Sequence, residues 1–99
     1  MMEIRFEDGD LDRLETELGD RGFPPEIVKA YRKLLGYLRH AQDERDLRAM
    51  KSLRFEKLKG KRQHQRSLRL NDQWRLIVEL QQEGSATVLV VAALENHYR

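Results

Sequence analysis

The sequence predicts an α+β domain in which a small antiparallel-rich sheet carries two N-terminal helices on one face. Three observations lead to that class. Residues 23–42, "FPPEIVKAYRKLLGYLRHAQ", place Ile27, Tyr31, Leu34, Leu35 and Leu38 on one helical stripe, with Lys29, Arg32, Lys33 and Arg39 largely off it. From Arg66 onward the apolar period drops to two, the spacing of a half-buried strand. The longest apolar run, "ATVLVVAAL" at 86–94, is apolar at both parities and so belongs near the middle of a sheet.

The elements follow in order. "MEIRF" alternates well enough for a first strand, and Asp8, Gly9 and Asp10 make a turn in which Asp10 is placed to cap a helix. Leu11, Leu14 and Leu18 continue at helical spacing, and Gly19 or Gly22 ends that short helix. The second helix has Pro25 in its first turn, where a missing N–H does no harm. Residues 43–56 carry three apolar anchors, Leu47, Met50 and Leu53, and read mostly as loop. Strands are expected near 65–71, 73–80 and 86–94, with "QEGS" turning between the last two. The expected order is therefore β-α-α-β-β-β, and at 99 residues the chain is one domain spanning 1–99.

Charge is the unusual part of the composition. Charged residues make up 36% of the chain and the net charge is +2, but the two signs are separated. Residues 1–20 carry two basic residues against eight acids, a balance of −6, whereas residues 51–75 carry nine Lys or Arg against Glu56 and Asp72, a balance of +7. A local basic field of that size points to phosphate or to an acidic protein surface as partner. The acidic end reads as a solvated face or as the mate of a basic protein surface. There is no cysteine, so disulfides and thiolate metal sites are excluded. His40, His64 and His97 are too scattered to form a ligand set, and neither a metal nor a cofactor is expected. The opening "MMEIRFEDGD" is polar and acidic, unlike a signal peptide, and nine apolar residues fall far short of the ~20 that span a bilayer. These features point to the cytoplasm and away from membranes.

Strand parity fixes the hairpin around "LRLNDQWRL". A two-residue turn at Asn71 and Asp72 would set Arg75 beside Leu68 and Leu70 and bury an unpaired charge. A three-residue loop, Asn71 to Gln73, pairs 69 with 75 and 68 with 76, so that the large apolar side chains meet beneath the helices. Arg69 and Arg75 then face each other on the open side. Like charges directly opposite repel, an arrangement that makes sense if an anion sits between them. The plainer reading is two solvated arginines splayed apart. Trp74 shares parity with Leu76 and Val78 and is read as core rather than as a base-stacking platform.

"LKG" at 58–60, "SLRLNDQWRL" at 67–76 and an apolar strand ending in "ENH" at 95–97 resemble the HigB-type (plasmid maintenance killer) branch of the RelE/ParE toxin superfamily. That branch typically carries Leu-Lys-Gly, Ser-Ile-Arg-Ile-Asn with Gln-Tyr or Gln-Trp and Arg-Ile, and a terminal Asp-Tyr-His. The resemblance implies a RelE-like fold and the toxin of a type II toxin–antitoxin system. It further implies a ribosome-dependent endoribonuclease that cuts mRNA in the decoding site, so that its partners would be the 70S ribosome, mRNA and a cognate antitoxin. The antitoxin would be a helix-turn-helix protein of the HigA kind, through which the complex would bind operator DNA. By motif position Lys59, Arg69, Arg75 and His97 inherit active-site roles. Two departures stand out: the usual Asp-Tyr is Glu95 and Asn96, and Glu56 replaces a histidine or polar residue often found three positions before the motif lysine.

Metal-free RNA cleavage needs a base for the 2′-OH, an acid for the leaving 5′ oxygen and cations for the pentavalent phosphate. Arg69 and Arg75 suit the phosphate because a guanidinium fork binds it bidentately and stays charged. Lys59, beside Gly60, is expected to contact the same charge. His97 is the natural acid or base; the alternative is a histidine fraying in solvent. Tyr98 and Glu56 are further candidates, Tyr98 as the phenol missing at Asn96 and Glu56 as a base or a partner of Lys59. Lys61, Arg62, His64 and Arg66 read as contacts to the RNA backbone, sensitive to salt. Two other functions fit the same residues less well: a gyrase inhibitor of the ParE kind, and an RNA-binding relative without catalysis.

Overall fold

The second helix of the chain organises everything else. In a computed structural model that describes residues 2–16 and 19–96, the elements are β1 (Glu3–Phe6), α1 (Gly9–Thr16), α2 (Pro25–His40), α3 (Glu44–Ala49), β2 (Glu56–Lys57), β3 (Arg66–Arg69), β4 (Trp74–Glu83) and β5 (Ala86–Asn96), with 3-10 turns at Lys51–Leu53 and Gly60–Arg62. Pro25 opens α2, and its stripe of Ile27, Tyr31, Leu34, Leu35 and Leu38 is buried, joined by Val28. Tyr31 ties α2 to α1 by donating its hydroxyl to the carbonyl of Leu11 at 2.7 Å in the buried interface.

Two local expectations change. The turn before α1 is capped by Asp8 rather than Asp10: the Asp8 carboxylate accepts the Asp10 N–H at 2.8 Å, and the Asp8 carbonyl accepts from Leu11 and Asp12. Residues 43–56, read as mostly loop, contain α3, a 3-10 turn and β2. Asp43 caps α3 through the N–H of Arg45 at 2.9 Å, with Glu44 and Asp46 in the first turn and Arg48 in the last, the charge order a helix dipole favours. Of the three anchors, Leu47 and Leu53 are buried, whereas Met50 is exposed.

The sheet runs β1-β5-β4-β3-β2. β1 lies parallel to β5, and every other pairing is antiparallel, so the sheet is mixed. The apolar strand β5 is interior, as its double-sided hydrophobicity requires, with Val88, Leu89, Val90 and Val91 all buried. Its hairpin with β4 is tighter than "QEGS" suggests: Gln82 and Glu83 pair with Thr87 and Ala86, leaving Gly84 and Ser85 as the turn, with Gly84 at φ +62. Leu68, Leu76, Val78, Leu89 and Val91 join Val28, Tyr31, Leu34, Leu35 and Leu38 of α2 in one core. Trp74 is half-buried, edge-on to Phe23 with ring centroids 5.6 Å apart.

The β3–β4 hairpin takes the three-residue loop. Arg69 pairs with Arg75 and Leu68 with Leu76, while Leu70 N–H donates to the Trp74 carbonyl at 2.9 Å. Asn71 holds the loop shut, its side-chain oxygen accepting the N–H of Gln73 and of Trp74, each at 2.8 Å.

A β-bulge in β5 decides the chemistry of the sheet's end. Val78 pairs with Val91 and Ile77 with Ala93, so Ala92 is the extra residue. Beyond the bulge the parity of β5 reverses. Leu94 thereby joins Leu76 on the helix side, and Glu95 joins Arg75 on the open side. Unbroken pairing would have turned the Glu95 carboxylate toward the helices.

Candidate functional site

The open face of the sheet carries a row of three charged residues on adjacent strands: Arg69 on β3, Arg75 on β4 and Glu95 on β5. Neighbouring strands lie about 4.8 Å apart, so the row fits within the span of one phosphate and its nearest ligands. Each arginine is braced by the hairpin loop. Arg69 Nη2 bonds the carboxylate of Asp72, and Arg75 Nη1 donates to the carbonyl of Asn71 at 2.9 Å. Nε and Nη2 of Arg75, and Nε and Nη1 of Arg69, have no protein partner among the described residues. The two cations are thus oriented by one edge and open at the other. The like-charge repulsion expected from sequence is eased by Asp72, which sits on Arg69 and is itself exposed.

A second layer lies over this face. The loop after β2 closes on itself through Leu58 N–H to Gln65 O at 3.1 Å and turns at Gly60, φ +66. From its 3-10 turn Arg62 reaches the Glu95 carboxylate with both Nη atoms, at 3.1 and 2.6 Å, while its Nε bonds the Gln65 side chain at 2.9 Å. Gln65 in turn donates to Glu79 at 3.3 Å. Lys59 and Lys61 stand exposed on the same loop, without an anionic partner among the described residues.

The structure therefore brings together Arg62, Arg69 and Arg75, with Lys59 and Lys61 on the covering loop, and it separates the others. His64 lies 3.8 Å from Glu79, four residues along β4 from Arg75, roughly 13 Å down the strand. Arg66 is half-buried: its Nη1 donates to the carbonyls of Gln63 and Gln65, and its Nε is buried with no hydrogen-bond partner among the described residues. Glu56 is exposed on edge strand β2 opposite Ser67, one row away from Arg69, and no ion pair joins it to Lys59. His97 and Tyr98 lie outside the described residues.

Sequence reasoning missed two members of the site. Asn71 was read only as a turn residue, although an Asn whose side chain can take two following N–H groups is a recurring turn device. Glu95 was read as a departure from a pattern, because its face depends on the bulge at Ala92. No group of three or more His, Asp or Glu side chains among the described residues is arranged to hold a metal ion.

A family model described as the RelE-like toxin of the type II toxin–antitoxin system HigB matches residues 4–93. The chain belongs to the HigB-like toxins. No curated protein sequence matches this toxin. Among solved structures it is similar to the YoeB/ParE toxin from Agrobacterium tumefaciens, with a TM-score of 0.61 at 19% identity, covering 98% of this chain and 100% of that one. That likeness speaks for a shared fold. The family places the toxin in a two-component system, so an antitoxin is among its partners. No helix among the described residues is long and apolar enough to cross a membrane.

Proposed function

We propose that this toxin is a ribosome-dependent endoribonuclease that cuts mRNA in the decoding site and so stops translation. The observation that carries the reading is the row Arg69–Arg75–Glu95 on the open face, two half-tethered guanidinium groups beside a carboxylate. Arg69 and Arg75 hold the scissile phosphate and neutralise the charge that grows on it as the 2′ oxygen attacks phosphorus. Glu95 is the carboxylate placed to accept the 2′-OH proton. His97, by its position in the family motif, donates a proton to the departing 5′ oxygen, so that the upstream fragment ends in a 2′,3′-cyclic phosphate and the downstream fragment begins with a 5′-hydroxyl. Lys59 contributes charge at the phosphate, and Tyr98 and Glu56 are secondary candidates. The reaction draws on side chains alone.

The same reading places the toxin in the cytoplasm, on the 70S ribosome with mRNA threaded to it. Its antitoxin is then a helix-turn-helix protein of the HigA kind that carries the complex to operator DNA. A single histidine and a carboxylate already clasped by Arg62 make a poor catalyst by themselves, so cleavage of free RNA is expected to be negligible. The test is primer extension on a defined mRNA with purified toxin, with and without 70S ribosomes, alongside His97→Ala. Cuts that need ribosomes and vanish in the variant are the expected result. No cuts on translating ribosomes would remove the nuclease reading and leave a gyrase inhibitor or a binding protein.

A further inference from the structure

Arg75 and Glu95 stand opposite each other in register, yet the Glu95 carboxylate is not bonded to Arg75. It sits in the fork of Arg62, an arginine 33 positions earlier in the chain, with both carboxylate oxygens engaged at 3.1 and 2.6 Å. Two parallel N–H bonds from one guanidinium are the geometry that receives a carboxylate or a phosphate alike. We propose that Arg62 and Glu95 form a clasp which an RNA phosphodiester opens. Glu95 holds the place in Arg62's fork where a backbone phosphate docks, and its displacement both anchors the RNA and frees the carboxylate beside Arg75. The identification of the ligand as RNA rests on the nuclease reading.

Three features of the loop fit an exchangeable clasp. Both side chains are close to half exposed, 45% for Arg62 and 40% for Glu95, so a ligand reaches the pair and the ion pair is weak, about 0.2–1 kcal/mol for exposed pairs of this kind. The loop is fastened independently of it, through Leu58 to Gln65 and Gln65 to Glu79, so opening the clasp does not release the loop. Finally, Lys59 and Lys61 lie just before Arg62 on the same loop with no acid of their own among the described residues. Their field favours the ligand that brings further phosphates over a lone carboxylate. The arrangement also gives catalysis a safeguard, because the carboxylate is engaged whenever RNA is absent.

The experiment measures binding without cleavage. A fluorescein-labelled, fully 2′-O-methylated tetranucleotide lacks the attacking hydroxyl, and its anisotropy reports affinity for the whole toxin. Glu95→Gln keeps the shape of the side chain and removes its charge, and it is expected to bind about 1.4- to fivefold tighter than the parent, the ratio that corresponds to an exposed ion pair. Arg62→Ala is expected to bind more weakly, and Glu95→Gln added to Arg62→Ala is expected to give no further gain. Equal or weaker binding by Glu95→Gln, a gain that persists without Arg62, or binding by none of the proteins would each overturn the clasp. Primer extension on ribosomes judges the nuclease reading separately, so the two can fail independently.

Discussion

The two charged ends of this toxin treat their surplus in opposite ways. At the acidic end, some of the carboxylates are matched with guanidinium groups, several of them drawn from distant parts of the chain, while Glu7 and Asp12 are exposed with no guanidinium partner among the described residues. Glu15 is bonded by Arg39, Glu83 by Arg5 and Asp10 by Arg13 and Arg21. At the basic end, arginines are oriented by loop groups but keep donors free, and Lys51, Arg54, Lys57, Lys59 and Lys61 are exposed with no acid partner among the described residues. Matched charge is scaffolding; charge that is oriented and left open is waiting for a ligand. The contrast separates the two surfaces although both are strongly charged.

The largest effect is expected where oriented charge meets chemistry. Arg75→Ala should lower ribosome-dependent cleavage about 100- to 1,000-fold, the range for removing one donor that stabilises developing charge, with little change in melting temperature. If the variant unfolds instead, Arg75 is scaffolding and the comparison fails. Asn71→Ala is the next test. It strips the acceptor from two loop N–H groups and should cost about 1 kcal/mol of stability, a drop of roughly 4–8 °C in melting temperature. Cleavage should fall as well, because the Asn71 carbonyl also braces Arg75.

Smaller effects distinguish the ends by pH and salt. The Arg5 guanidinium bonded to Glu83 holds that carboxyl below its usual value of 4.5, and Arg13 and Arg45 do the same for Asp10 and Asp43. A carboxyl with a depressed folded value adds stability above its unfolded value, and that stability is lost as pH falls through the folded one. Glu83→Gln should therefore flatten the acid limb of melting temperature below about pH 4.5, while Lys61→Ala leaves that limb unchanged. Lys61→Ala should instead reduce the salt slope of oligonucleotide binding by about 0.7, which Glu83→Gln should not touch. Burial pushes the Tyr31 phenol well above its ordinary value of 10. Stability tied to it is present below pH 10 and lost as pH rises further, and Tyr31→Phe should remove that alkaline loss in melts from pH 8 to 11.

How much of this was legible depended on whether the signal was local. The α2 stripe repeats at helical spacing within a sixteen-residue helix and could be read directly. The register of the β3–β4 hairpin was legible because only one loop length keeps Arg75 out of the core. α3 was missed since six residues hold too little periodicity to outweigh a loop reading, although Asp43, Glu44 and Arg48 carried its end signals. Glu95 was missed for a different reason. "VAAL" fits either face of a strand, so nothing local places the bulge at Ala92; β4 decides it by pairing Leu76 with Leu94. The register that completes the core also completes the site.

Whether the oriented arginine row holds phosphate is decided by one paired measurement: cleavage of a defined mRNA on 70S ribosomes, with thermal melting, for Arg75→Ala beside Glu15→Gln. Arg75→Ala is expected to lose its ribosome-dependent cuts while melting like the parent, and Glu15→Gln to melt lower while cutting normally. Normal cutting by Arg75→Ala would be the contradicting result, because the oriented arginine row would then hold no phosphate.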